Sequence, residues 1–386
     1  MALNVVSSDR LSTNVKTSNL ATDLSSKVGE SKNIIINGAM NVAQRGTTST
    51  STTYQTVDRM RPTWAGTDEA LTQAQHALTS SDTGPWAKGF RNSLHLTNGD
   101  QSSAVGSTDT AYTQYRVEAQ DIANSGWDYT SASSYLTISF WVKSSVAQVF
   151  YVDLQTHDGT AKQYSFAYTC AANTWLKVEH SIPGHADLSF DNNNGVGLTF
   201  TFSCFLGTDY THSGASNNTW RGYDAGTMTL DQVSTWWETD DATWEFTGLQ
   251  LEVGDTATEY EHRTYGDEWL RCARYFWMAA DGSRATNEHV GLFVAYSSTD
   301  IRAGFEHPVQ MRATPTKYEV VGAQGSNYWR CYAGGGVFYP DFLGALKATN
   351  TAACVDIADD VSTTAGFGGF WRCNDAAARL GFSAEL

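Results

Sequence analysis

Proline is scarce in this chain, with six among 386 residues, and so is cysteine, with six scattered thiols. Cys170, Cys204, Cys272, Cys331, Cys354 and Cys373 form no Cys-x-x-Cys pair and stand beside no histidine pair of zinc spacing. They are therefore expected to be reduced and mostly buried, without a disulfide framework or a structural zinc. Positive charge is also short, with 25 Lys and Arg against 41 Asp and Glu and a formal charge of −16. By segment the balance is +1 for residues 1–32, −14 for 33–266 and −3 for 267–386. A middle region so acidic repels phosphate backbones, so no nucleic-acid partner is expected. No apolar run approaches the roughly 18 residues of a membrane span, and the start Met-Ala-Leu-Asn lacks the basic and apolar parts of a signal peptide. Neither membrane insertion nor secretion by that route is expected. The chain lacks a Gly-x-Ser-x-Gly elbow, a P-loop and a Gly-x-Gly-x-x-Gly fingerprint, and no period of 20 to 50 residues suggests a propeller or β-helix.

Aromatics are abundant instead: 13 Trp, 18 Tyr and 17 Phe. With many Thr and Ser, they give the composition β-propensity. From Ile34 onward the pattern is one of half-buried antiparallel strands. In residues 135–143, Leu136, Ile138, Phe140 and Val142 share one face and Thr137, Ser139, Trp141 and Lys143 the other. In 149–155, Phe150, Val152 and Leu154 point inward and Tyr151, Asp153 and Gln155 outward, and in 198–206 Leu198, Phe200, Phe202, Cys204 and Leu206 form the inner row. Trp244 and Phe246 occupy one parity and Leu249, Leu251 and Val253 the other, with Gly248 between, as a β-bulge produces. The region 46–53 is polar and reads as a loop. About ten strands without crossover helices predict an all-β fold, a jelly-roll β-sandwich.

Residues 267–278 read as a connector helix with acids at its start, followed by short strands such as the alternation of Val290, Leu292, Val294 and Tyr296. The expected organisation is an arm over 1–32, the jelly-roll over 33–265, and the connector helix with a small C-terminal β module over 266–386. Leu11, Val15, Leu20, Leu24 and Val28 make the arm helical or extended, either a docking or trimer-seeding segment or a disordered tail. The small core and aromatic surface of the last region invite burial against copies of itself.

Ten acids lie between Glu238 and Glu268, among them Asp240, Asp241, Glu259 and Glu261. Neighbouring acids on a strand point to opposite faces, so the run reads as solvated surface ahead of calcium ligation or paired-carboxylate catalysis. Sugar rings stack on aromatic faces, and Trp141, Tyr151, Asp153 and Gln155 would form one glycan-binding platform if their two strands were neighbours. The competing reading packs that face under a loop or another subunit. Trp236 and Trp237 are a second candidate.

The segments Asn33-Ile-Ile-Ile-Asn-Gly-Ala-Met-Asn-Val-Ala-Gln-Arg-Gly46 with Asp58-Arg59, Leu136-Thr-Ile-Ser-Phe-Trp-Val-Lys-Ser144, 175–183 and Gly248-Leu-Gln-Leu-Glu-Val-Gly254 resemble bacteriophage tail-fibre and virion surface proteins. The similarity continues through 261–268, 271–276, 305–316 and Leu380-Gly-Phe-Ser-Ala-Glu-Leu386. The resemblance implies a jelly-roll similar to carbohydrate-binding modules, with first and last strands paired. It further implies a non-enzymatic virion protein, a homotrimeric tail fibre or receptor-binding protein that attaches to other virion proteins through residues 1–32 and meets host-surface glycan. A head decoration or tail-adaptor protein is the alternative, and a polysaccharide depolymerase the third reading, disfavoured for want of a β-helix. Related jelly rolls often hold calcium with adjacent acids in the last strand, where this chain has Thr247 and Gly248, so no metal or cofactor is expected.

Overall fold

The computed structural model describes residues 32–282, 289–319 and 325–386, so the expected arm, apart from Lys32, lies outside the described residues. The first module carries β1 (Thr48–Ser49), β2 (Arg61–Ala65), β3 (Thr72–Ala77), β4 (Asn92–Thr97), β5 (Thr110–Glu118), β6 (Tyr135–Ser144) and β7 (Gln148–Thr156). It continues with β8 (Lys162–Cys170), β9 (Leu176–Pro183), β10 (Val196–Leu206), β11 (Arg221–Gly222) and β12 (Thr243–Val253), and a short helix α1 (Ala119–Ala123) follows β5. The strands form two antiparallel sheets, ordered β1-β3-β4-β12-β6-β9 and β11-β8-β7-β10-β5-β2. The region read as a polar loop at 46–53 thus contributes the two-residue edge strand β1, paired with β3.

The expected alternation holds on the inner faces, except that Val253 is exposed and a slip after Ser203 puts Phe205 in place of Leu206 in the core. Phe140, Val142, Trp244 and Phe246 of one sheet meet Phe150, Tyr168, Phe200 and Phe202 of the other in one buried core. Phe202 lies 5.4 Å from Phe140 and 4.8 Å from Phe246, ring centre to ring centre, and the Trp244 indole N–H donates to the Tyr168 hydroxyl at 3.3 Å. Edge-to-face and tilted aromatic contacts of this kind add to the burial energy across the two layers. The bulge falls where expected: pairing with β6 slips by one residue between Thr247 and Gln250, and Gly248 takes φ +67°. A Cβ there would lie 2.7 Å from the Phe90 ring, so only glycine fits.

The first segment is tied to the closing strand, since Ile34 N–H donates to Leu251 O and Leu249 N–H to Gly38 O, both at 2.9 Å. Part of the acidic run does this pinning. Glu261 accepts from Asn33 N–H at 2.7 Å and pairs with Arg263, and Glu268 accepts from Asn37 N–H. Asp240, Asp241 and Glu259 are exposed, as expected of solvated acids.

The connector helix is shorter and earlier than 267–278. It is α2 (Tyr265–Ala273), capped by Thr264, whose hydroxyl accepts from Asp267 N–H at 3.3 Å. The aromatic run after it is strand, β13 (Phe276–Ala280), because it pairs with β22 (Leu380–Ser383). Between them come β14 (His289–Ala295), β15 (Ile301–Glu306), β16 (Thr316–Glu319), β17 (Trp329–Ala333), β18 (Gly336–Phe338), β19 (Leu346–Ala348), β20 (Ala352–Ile357) and β21 (Gly368–Cys373). A three-stranded sheet, β13-β22-β16, packs on a seven-stranded one, β18-β17-β21-β14-β15-β20-β19. Trp277, Leu380 and Phe382 from the first meet Phe293, Ala303, Phe305 and Trp371 from the second.

The two modules meet through charge. Glu385 lies 2.6 Å from Arg59 and 3.3 Å from Arg45, both buried, and Arg116 donates to Leu386 O at 2.8 Å. Arg274 pairs with the buried Glu118 at 2.8 Å, and the Arg45 guanidinium lies 3.5 Å from the Phe276 ring centre. Five cysteines are buried and Cys354 is half-buried, as the lack of paired spacing suggested.

Candidate functional site

The two strands of the expected platform are not neighbours. β6 lies in one sheet and β7 in the other, joined by a short arch at 145–147, so outward residues on them face opposite sides of the sandwich. Trp141 is thereby separated from Tyr151, Asp153 and Gln155.

The side carrying those three is covered by the chain itself. Arg221 donates to Ser165 Oγ at 3.3 Å and to the carbonyls of Ser216, Thr227 and Met228 at 2.6–2.9 Å. Asn218 N–H donates to Ser165 O at 2.7 Å, and Gln232 reaches Ser203 Oγ at 2.9 Å. Under this layer Tyr151 and Asp153 are buried, and Gln155 is half-buried. Burial pushes the Asp153 carboxyl up to about 7, only partly offset by the Gln163 amide at 2.9 Å and the Arg221 charge. Trp236 and Trp237 do not serve either, because both are core: the Trp236 indole donates to Thr243 O at 3.1 Å and Trp237 packs 5.3 Å from Phe205.

Trp141 belongs to a different group on the outer face of the β3-β4-β12-β6 sheet. Register places His95 beside Glu245 and Glu245 beside Lys143 across three adjacent strands, with Thr247 beside Trp141 one step along. Residues 78–91 fold over one end of this face, bringing Gly84 against the Trp141 ring and Asp82 to the lysine. The result is a line of charge. Lys143 Nζ is 2.7 Å from Glu245 Oε1 and 3.2 Å from Asp82 Oδ1, and the Trp175 indole N–H donates to the same Asp82 oxygen at 3.1 Å. His76 Nδ1 lies 3.2 Å from Glu245 Oε2, which also accepts from Ser93 Oγ at 3.2 Å.

Half-buried Trp86, Trp141 and Trp175 flank this line around a small cluster formed by Ala39, Leu78 and Phe90. Arg91 lies 3.7 Å over Trp86 and Lys143 4.9 Å from Trp175. Burial alone would raise the Glu245 carboxyl, but His95 and Lys143 outweigh it and hold it near 2. Burial likewise opposes the charge on Lys143, yet its two carboxylate partners leave its pKa raised. The strip therefore presents fixed charge beside apolar ring faces, suited to ordering a ligand that offers hydroxyls and flat C–H surfaces.

Sequence reasoning placed Trp141 and Lys143 on one outward face but missed His76, Asp82, Trp86, His95, Trp175 and Glu245. A signal existed for two of them: His95 sits between Leu94 and Leu96 and Glu245 between Trp244 and Phe246, so their inward neighbours turn both outward. Nothing local announces that β3, β4, β12 and β6 lie side by side.

No family model and no curated protein matches the chain. Among solved structures it is similar to the enzymatically active domain of tailspike protein 4 of bacteriophage CBA120, at 11% identity and TM-score 0.30, over 57% of this chain and 21% of that one. It is also similar to a family 11 carbohydrate-binding module of Clostridium thermocellum, at 13% identity and TM-score 0.25, over 56% of this chain and 98% of that one. A third is the CBM22-1 xylan-binding domain from Paenibacillus barcinonensis, at 12% identity and TM-score 0.26, over 59% and 100%. This chain thus spans about a fifth of the tailspike chain, and at these scores no residue-to-residue correspondence is drawn.

Proposed function

We propose that the protein is a non-enzymatic component of a phage particle's surface, a trimeric tail fibre or receptor-binding protein that meets host-surface glycan through the outer face of the β3-β4-β12-β6 sheet. The observation that carries the glycan reading is the strip of Trp86, Trp141 and Trp175 beside Asp82, Lys143 and Glu245. Ring faces take the apolar side of a sugar and the charged groups its hydroxyls. Attachment to the particle falls to residues 1–32, on the motif resemblance. Weak single-site binding suffices, because three linked copies multiply it.

Self-association is supported by the last module. Leu292, Val294 and Tyr296, on and just after the central strand β14, are 76%, 57% and 64% exposed, and Phe370 and Val337 join them on the same outward side. Such an apolar face on a central strand is more often an interface than bare surface. The same face favours a second reading, a head decoration or tail-adaptor protein in which another virion protein covers it.

The test is binding of purified protein to host cells and to their extracted surface glycan, wild type against Trp175→Ala. Expected is binding weakened about tenfold, roughly 1.4 kcal/mol, by losing one stacking face. Absence of any host-cell binding by wild type, with the protein found on the capsid shell, would replace this reading with the decoration protein. Release of reducing sugar would overturn the non-enzymatic part.

A further inference from the structure

We infer that His76, His95 and Glu245 form a binding site for a first-row transition dication of the zinc class on the outer face of the first sheet. Their ligand atoms, one from each side chain, all lie within 4.8 Å of one another. A tetrahedral site with bonds of about 2.0–2.1 Å places its ligand atoms roughly 3.3 Å apart. The His76 Nδ1 to Glu245 Oε2 separation, 3.2 Å, already has that value, while His95 Nδ1 stands 3.6 Å from the other carboxylate oxygen, Oε1, which Lys143 also holds.

Three further features favour a metal over a simple ion pair. His95 Nδ1 is buried and lacks a hydrogen-bond partner by geometry, since 3.6 Å is too long for one, so this ring nitrogen meets the carboxylate by charge alone. The three ligands come from adjacent strands β3, β4 and β12, whose pairing fixes the positions of their backbones. The second oxygen of Glu245 is held by Lys143, itself anchored on Asp82, which orients the carboxylate as outer partners of metal ligands do. Asp82, Lys143 and Glu245 sum to one negative charge, so a dication is attracted despite the lysine. His76 is about half exposed and can swing to close the triad, leaving a fourth position toward solvent. Two imidazoles and one carboxylate suit zinc, cobalt, nickel or copper; calcium and magnesium prefer all-oxygen shells.

This site is independent of whether the face binds glycan. Chelator-stripped full-length protein would be titrated with Zn²⁺ by calorimetry and with Co²⁺ by visible absorption. Expected is one saturable Zn²⁺ per chain and the d–d bands of tetrahedral Co²⁺, with no saturable heat from Ca²⁺. His76→Ala and His95→Ala, which leave Glu245 paired with Lys143 and the fold intact by circular dichroism, should each weaken Zn²⁺ binding by about a hundredfold and abolish the Co²⁺ bands. Wild-type protein that takes up neither metal, or both variants binding as tightly as wild type, would overturn the site.

Discussion

The outer face over β7, β8 and β10 and the outer face over β14 and β21 are built by the same alternation but end differently. On the first, residues 207–232 lie across the strands and give Gln163, Ser165 and Ser203 polar partners. On the second, Leu292, Val294 and Phe370 stand outward and exposed, Phe370 with Tyr332 and His289 beside its ring. A strand's period says which side a residue takes, and only the rest of the chain says whether that side is finished. The first module completes its own surface; the last leaves an apolar one for another molecule. On the proposed function, that difference assigns self-association to the last module and ligand binding to the Trp-lined strip of the first.

The largest effect is expected from charging the open face. Leu292→Asp combined with Phe370→Asp should cut the native mass to about a third by light scattering, because desolvating two carboxylates against an apolar partner is prohibitive. An unchanged mass would move the interface elsewhere. Trp175→Asp on the first module, made alongside, should leave the mass unaltered.

Next in size is the joint between the two regions. Glu385 sits in a buried pairing with Arg59 and Arg45, and removing one partner leaves the other charges uncompensated. Glu385→Ala should cost about 3–5 kcal/mol in denaturant unfolding. An unaltered midpoint would mean that the modules hold together without the charge cluster.

A smaller effect sharpens the covered side. Asp153 has a folded pKa near 7, above its ordinary 3.8. Its contribution to stability is therefore full below the unfolded value and is lost as pH rises through about 7. Asp153→Asn, which still accepts from Gln163 but carries no charge, should gain on wild type by roughly 1–3 kcal/mol between about pH 5 and pH 9. Parallel stability curves would show that the layer over Asp153 admits water.

Much of this was legible in the chain. Leu136, Ile138, Phe140 and Val142 declared an inner face, and the parity change across Gly248 declared the bulge, because both depend only on local period. The partners of each strand were not legible. Tyr151 and Trp141 would share a side only if their consecutive strands were neighbours, and the arch at 145–147 sends them into opposite sheets. The helix ended early for a similar reason: Phe276 to Ala280 could continue a helix by pattern, but pairing with Leu380 to Ser383 wins. Glu261 and Glu268 looked like surface acids because the groups they pin, Asn33 and Asn37, lie more than 200 residues away. The proposed metal triad was hidden likewise, since Glu245 lies about 150 residues beyond His76 and His95 and meets them only through strand pairing.

We propose that copies of the same chain close the open face of the seven-stranded sheet. Sedimentation equilibrium of the full-length protein at micromolar concentration tests it directly. The account predicts a single species of about three times the 42.2 kDa chain mass, and a stable 42.2 kDa monomer would contradict it.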